Sequence, residues 1–427
     1  MKRLSAVVVS VLGFAFTANG YKPLTKHGYG SGFAFGYGLF ASELPLHTFG
    51  VQLAALAALS RRLPPRVRLF SWLVSALSWL GLLGLRHVGR RAHEPLTAAL
   101  DAGLGLERRT ESGDLWKRPA VGGATAKKPG VARMLRIYRD YTHDGDISFG
   151  ECGSRNHLDI WRRPDSPASG RCPQDRGGRA PVLLQVPGGA WMVGNKRGQA
   201  HPLMSHLAEQ GWICVAINYR LSPRSTWPDH IVDVKRAIAW TREHIASYGG
   251  DPDWIAITGG SAGGHLSSLA ALTPNEPRFQ PGFEEADTRV QAAVPFYGVY
   301  EFASDDSLHP LMVPVLQKNV FKLNRKEYPD DFRVASPISH VSEDAPAFFV
   351  LHGTNDSLIP VEQARSFTAR LREVSRQPVI YAELPCAQHA FDIFGSARAA
   401  HAAVAVEQFL AETYASHQAA PLSGMAR

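Results

Sequence analysis

The chain is poor in cysteine. Its 427 residues include four cysteines, and neither a Cys-x-x-Cys nor a His-x-x-x-His spacing occurs, which leaves no motif for a metal centre. Cys214 lies in an apolar run and is expected as a buried thiol. Cys152 and Cys172 flank a polar segment and pair only if that segment meets an oxidising compartment, which the sequence leaves open. No internal repeat is present. A basic face on the C-terminal part is also missing. The net charge of +8 hides +13 over residues 1–140 and −5 over the remainder. That split argues against nucleic acid as a partner and for a membrane surface near the N-terminus.

What the N-terminal part does have is apolar length. Lys2 and Arg3 precede uncharged residues 4–18, in the manner of a signal peptide or signal-anchor with a poorly defined cleavage site. A second apolar region, residues 31–60, is interrupted by Glu43, Pro45 and His47. A third, residues 69–85, has 17 residues without a charge, enough for a helix to cross a bilayer. Three such segments do not fit one cleaved signal, and they predict a hydrophobic, transmembrane helical region over residues 1–90. With three spans, Lys2, Arg3, Arg61, Arg62, Arg66 and Arg68 fall on the cytoplasmic side and the downstream domain outside. Arg86, Arg90 and Arg91 weigh the other way. Residues 91–150 read as a connector, 151–416 as the catalytic domain and 417–427 as a flexible tail.

From about Arg155 short apolar runs alternate with helix-period stretches. The runs cover residues 182–186, 213–219, 254–258, 290–297, 347–351 and 379–384. That alternation predicts an α/β fold, a mostly parallel sheet flanked by helices. Gly259-Gly260-Ser261-Ala262-Gly263 follows the third run directly and opens a helical stretch. A serine held on so tight a turn needs small neighbours, and it becomes a nucleophile once a base takes its proton. Candidate partners follow in the order serine, acid, histidine: Asp356 after the run 347–351, and His389 after the run 379–384. Main-chain amides of Gly188, Gly189 and Ala190, with that of Ala262, are the candidate oxyanion hole.

Four blocks carry a resemblance: Val186-Pro187-Gly188-Gly189-Ala190-Trp191, Asn218-Tyr219-Arg220-Leu221-Ser222-Pro223, Tyr248-Gly249-Gly250-Asp251-Pro252 and Gly259-Gly260-Ser261-Ala262-Gly263-Gly264-His265. Together with Ser336-Pro337-Ile338 and His352-Gly353-Thr354-Asn355-Asp356, they resemble the α/β-hydrolase carboxylesterases near the hormone-sensitive-lipase branch over about residues 150–415. The N-terminal region, including Ala41-Ser42-Glu43-Leu44-Pro45-Leu46-His47, is similar to the membrane-associated front ends of actinobacterial Lip-type esterases. The resemblance implies Ser261 as nucleophile, His389 as base and then acid, Asp356 as the orienting carboxylate, and no cofactor. Two positions depart from the family. Pro187 stands where a histidine usually opens the glycine loop, and Gly260 where many relatives have Asp or Glu.

The expected function is hydrolysis of a small-molecule or lipid carboxylic ester through an acyl-enzyme. An acyltransferase, an arylformamidase-type amide hydrolase and a membrane-tethered binding module are the alternatives. Trp191, Met192, Tyr219, Phe296, Tyr297 and Phe391 are candidate pocket residues, and the stretch from Glu301 to Arg333 a candidate cap.

Overall fold

A computed structural model describes residues 2–25, 30–60, 63–105, 131–163, 178–304, 308–310 and 312–419. Cys172, and with it the expectation of a Cys152 pair, lies outside the described residues. Among the described residues Cys152 has no disulfide partner, and Cys214 is a buried free thiol.

Six apolar runs became six strands: β3 (Ala180–Val186), β4 (Ile213–Ile217), β5 (Gly250–Gly260), β6 (Ala292–Phe296), β7 (Ala347–Gly353) and β8 (Val379–Leu384). They are parallel, and two preceding strands, β1 (Thr142–Ser148) and β2 (His157–Trp161), complete an eight-stranded sheet of order β1-β2-β4-β3-β5-β6-β7-β8. The pairs β1/β2 and β2/β4 are antiparallel. Side chains alternate between the two faces, as the period of a strand requires. Val182, Leu184, Val215 and Ile257 pack with the helices α8 (Asp229–His244), α9 (Ala262–Leu272) and α12 (Val361–Val374). Leu183, Cys214, Ala216 and Ala256 pack with α5 (His93–Leu104), α6 (Val131–Tyr141), α7 (His201–Glu209) and α13 (Ala397–Ala419).

The stretch expected as a connector therefore holds working parts of the fold. Helix α5 lies on β8, where Gly103 meets Ile380, and β1 is the sheet edge. Strand β1 escaped the apolar pattern because its sequence, Thr142-His143-Asp144-Gly145-Asp146-Ile147-Ser148, is polar. A buried charge cluster holds it instead. Asp159 of β2 is fully buried, accepts from the amide of Asp146 at 2.8 Å and from Tyr138 Oη at 2.8 Å, and pairs with buried Lys196.

The N-terminal residues form α1 (Lys2–Tyr21), α2 (Gly30–Glu43), α3 (Pro45–Ser60) and α4 (Pro65–Arg90). The second apolar region is thus two helices, divided where Pro45 begins α3. Pro65–Leu104 is the one stretch among the described residues long and apolar enough to cross a bilayer; Ser5–Tyr21 and Pro45–Ser60 are apolar but shorter. The packing of these helices inverts the usual soluble pattern. Ser71, Ser75 and Ser78 of α4 are buried, whereas Leu69, Phe70, Leu73, Leu77 and Leu80 are exposed. Small polar groups make the seam: Ser75 Oγ donates to Ser10 Oγ at 3.2 Å, Thr17 and Ser78 hydroxyls meet at 2.8 Å, and Ser78 Oγ donates to Gln52 Oε1 at 2.9 Å. Those pairs run α1 parallel to α4, and both end against the sheet domain. Asn355 donates to the Gly20 carbonyl of α1, and Arg398 lies against Gly89 of α4.

Candidate active site

Strand β5 ends at Gly260 and α9 begins at Ala262, so Ser261 sits alone on the turn, with φ 57° and ψ −120°. This left-handed backbone is costly for a residue with a side chain and is tolerated where the surroundings enforce it. Close packing enforces it here. A Cβ on Gly259 would come 2.5 Å from the Gly263 carbonyl and 2.6 Å from that of Val186, so the two strand ends and the helix can meet only through glycine. The Ser261 amide donates to the Phe296 carbonyl at 3.0 Å.

Asp356 follows β7 and His389 follows β8, neighbouring parallel strands. His389 Nδ1 meets Asp356 Oδ2 at 2.7 Å. Asp356 is 2% exposed, and its second oxygen accepts from the amides of Leu358 and Ile359 at 2.9 and 2.8 Å. A third group joins them: His352 Nε2 lies 3.2 Å from Asp356 Oδ2 and 3.2 Å from the Ile359 carbonyl. Burial alone would raise the Asp356 carboxyl, but the two histidines prevail and hold it well below the usual carboxylate range. Among the described residues no hydrogen bond joins Ser261 to His389, a link that commonly closes only with substrate in place.

The glycine loop is braced on every side. Tyr219 Oη donates to the Pro187 carbonyl at 3.0 Å, Ser222 N to the Trp191 carbonyl at 2.9 Å, and Trp191 Nε1 to His265 Nδ1 at 3.1 Å. His265 Nε2 in turn meets the Ala335 carbonyl at 2.8 Å. The Gly188 amide corrects one expectation: it donates to Gln199 Oε1 at 2.7 Å, and Gln199 Nε2 returns a bond to the Gly188 carbonyl at 3.1 Å. Gly188 is therefore occupied as a donor, and Gln199 holds the loop whose opening residue is Pro187. The amides of Gly189, Ala190 and Ala262 have no acceptor among the described residues.

The expected pocket residues divide. Trp191, Tyr219, Phe296 and Phe391 are buried in the core, bracing the site from behind. Met192 is partly exposed. Tyr297 packs its ring 4.6 Å from that of His389 and hydrogen-bonds through its hydroxyl to half-buried Asp392. It also explains Gly260, since a Cβ there would fall 2.6 Å from Tyr297 Oη. The candidate cap packs Phe321 and Phe332 against each other and Phe321 against Trp227, while the side chain facing His389 from above is Phe35 of α2, edge-on at 5.9 Å. Asp305, Asp306, Ser307 and Leu311 of that stretch lie outside the described residues. Gln199, His265, His352 and Asp392 were not singled out from sequence. His352 could have been, as it lies four residues before Asp356 within the same block. Among the described residues no cluster of His, Cys, Asp and Glu could hold a metal.

The family BD-FAE matches residues 171–371. Over 427 residues the chain is 63% identical to a probable carboxylic ester hydrolase, LipM, of Mycobacterium tuberculosis, spanning 100% of this chain and 97% of that protein. The chain belongs to the Lip family of carboxylic ester hydrolases. Esterase LipQ of the same organism is 50% identical over 340 residues, 78% of each protein. Among solved structures, this Lip-family chain shares its fold with a truncated carbohydrate esterase from gut microbiota, at TM-score 0.54 and 22% identity over 68% of this chain and 100% of that one. A thermophilic esterase of Thermogutta terrifontis with butyrate bound aligns at TM-score 0.50 and 24% identity, covering 62% and 92%. Those structures match about two thirds of the chain, whereas the likeness to LipM includes the N-terminal helices.

Two outcomes are expected from these contacts. Gly260→Ala should lose about 1–3 kcal/mol in urea unfolding by crowding Tyr297, and less in a Tyr297→Ala background; equal losses in both backgrounds would remove Tyr297 as the cause. Burial holds the His265 and His230 imidazoles down to about 3, so they stay neutral in the fold while the unfolded chain takes up protons below about pH 6.5. Stability should fall as pH drops from 6.5 towards 3. A His230→Gln/His265→Gln variant should show a flatter pH dependence of its thermal midpoint; an unchanged slope would contradict this origin.

Proposed function

We propose that this carboxylic ester hydrolase works through an acyl-enzyme on Ser261, with His389 as base and then acid and Asp356 as its orienting carboxylate. The observation that carries the reading is the 2.7 Å contact between His389 Nδ1 and the buried Asp356. It fixes Nδ1 as the protonated nitrogen and leaves Nε2 free to take the Ser261 proton. The serine oxygen attacks the ester carbonyl, and the amides of Gly189, Ala190 and Ala262 receive the developing oxyanion, each worth on the order of 3 kcal/mol of barrier. His389 returns the proton to the leaving alcohol. Water then repeats the sequence on the acyl group.

The N-terminal helices are read as a membrane module that places the catalytic domain outside. Support comes from the inverted packing of α1 and α4, in which small polar residues meet inside and Leu, Val and Phe side chains face out. The 17 uncharged residues between Arg68 and Arg86 span about 25 Å as helix, close to a hydrocarbon core. Because α1 runs parallel to α4, Lys2 and Arg3 begin at the same end as Arg66 and Arg68, remote from the sheet domain. Positive residues favour the cytoplasm, so the sheet domain falls on the other side. The substrate is then an ester that reaches the outer surface of that membrane.

Ser261→Ala should abolish ester hydrolysis and leave the thermal midpoint near native, and Asp356→Asn should lower kcat by about 10³–10⁴-fold. A Ser261→Ala enzyme with most of its activity would refute the nucleophile. Protease added to intact cells should cleave the sheet domain; protection of that domain in intact cells but not in lysed ones would reverse the orientation.

A further inference from the structure

Both loops that carry the acid and the base are gripped by the N-terminal helices. Asn355, beside Asp356, donates through Nδ2 to the carbonyls of Gly20 and Tyr21 at the end of α1, each at 2.9 Å. On the other side of Asp356, Ser357 Oγ donates to the Ser31 carbonyl of α2 at 3.2 Å. Gln388 Oε1 accepts from the amides of Ser357 and His389 at 2.8 and 2.9 Å, and its Nε2 lies so near Gly38 of α2 that a Cβ there would come within 3.0 Å.

The anchor of this contact is Glu43, the last residue of α2. Its side chain is 1% exposed and pairs with Arg398, also 1% exposed. The carboxylate further accepts from Ser396 Oγ at 2.8 Å and from Ser42 Oγ at 3.0 Å. Arg398 turns its other arm to the Pro385 carbonyl at 3.0 Å, and Pro385 opens the loop that ends in His389. That loop is fastened to the acid loop by Cys386 N to Thr354 Oγ1 at 3.0 Å and Asn355 N to the Ala387 carbonyl at 2.9 Å. A continuous chain of bonds thus runs from α2 through Arg398 to the histidine.

We propose that Glu43 is a positioning residue for the reaction, holding His389 in register through Arg398 and Pro385, so that the N-terminal helices are part of the active site as well as an anchor. A buried ion pair contributes little net stability once desolvation is counted, yet it selects one geometry. A misplacement of about 1 Å at a reacting group can cost a hundredfold in rate, so the geometry is what the reaction would lose.

The test uses the full-length protein in detergent and rests on the acyl-enzyme reading above. A Glu43→Leu/Arg398→Met double variant removes the pair without leaving a lone buried charge. Its kcat on a soluble short-chain p-nitrophenyl ester should fall by about tenfold to a hundredfold, with KM within about twofold and a near-native thermal midpoint. A fluorophosphonate should label Ser261 in this variant more slowly but to completion. Failure to label Ser261 in the native protein would instead strike the acyl-enzyme reading itself. A folded double variant with native kcat overturns the proposal. Should it fail to fold, Arg398→Lys decides, since lysine keeps the charge but lacks a fork to reach Glu43 and Pro385 together. A loss of kcat at unchanged KM supports positioning, and native kcat overturns it.

Discussion

A carboxylate with almost no access to water must be neutralised where it stands, and the ends of β7 and β8 are arranged around that need at Asp356. Two backbone amides take one oxygen, and two imidazoles converge on the other. Taking any of these away would leave a buried charge short of a partner. The loop after β7 has to turn back for its amides, and the loop after β8 has to bring His389 within reach. Parallel pairing of β7 with β8 puts both loops at the C-terminal end of the strands, the end where β5 leads into Ser261.

A second constraint is strain. Ser261 holds a left-handed backbone on a turn whose flanking residues, Gly259 and Gly263, leave no room for a side chain against the Val186 carbonyl. The glycine loop beside it is held by bonds from Tyr219, Ser222, Gln199 and His265. The block around Asn218 and Tyr219, and the histidine that ends the elbow block, thus serve to fasten backbone near the serine. Both departures from the usual family sequence find a physical partner there. Gln199 grips the loop that Pro187 opens, and Tyr297 with Asp392 fills the space beside Gly260.

Strands β3, β4, β6 and β7 were legible because each is buried on both faces and so reads as a run of apolar residues. Chain order led to the expectation of Asp356 and His389 after neighbouring strands and of Ser261 on the turn after β5, and those are their positions, with His389 Nδ1 2.7 Å from Asp356 Oδ2. Strand β1 was not, since its sequence is polar and its Asp146 is held by Asp159 and Lys196, two charges far apart in sequence that are recognisable as a pair only once folded. The same holds for Gln199. Its bond to Gly188 spans 11 residues of irregular chain that no periodicity describes. Aromatic residues near the motifs suggested pocket walls by position, and Phe391 and Trp191 among them are buried. The apolar N-terminus revealed its helices but not that α2 would lie over the histidine.

The sheet domain and the N-terminal helices therefore meet at the loops of Asp356 and His389, and the proposed acyl-enzyme requires Ser261 to carry the acyl group between the two half-reactions. Rapid quenching of the native protein during turnover of an activated ester, followed by peptide mass mapping, tests this directly. The acyl mass should appear on the peptide containing Ser261, formed and lost at rates that match turnover. An acyl group on a different residue, or hydrolysis without any covalent adduct, would contradict it.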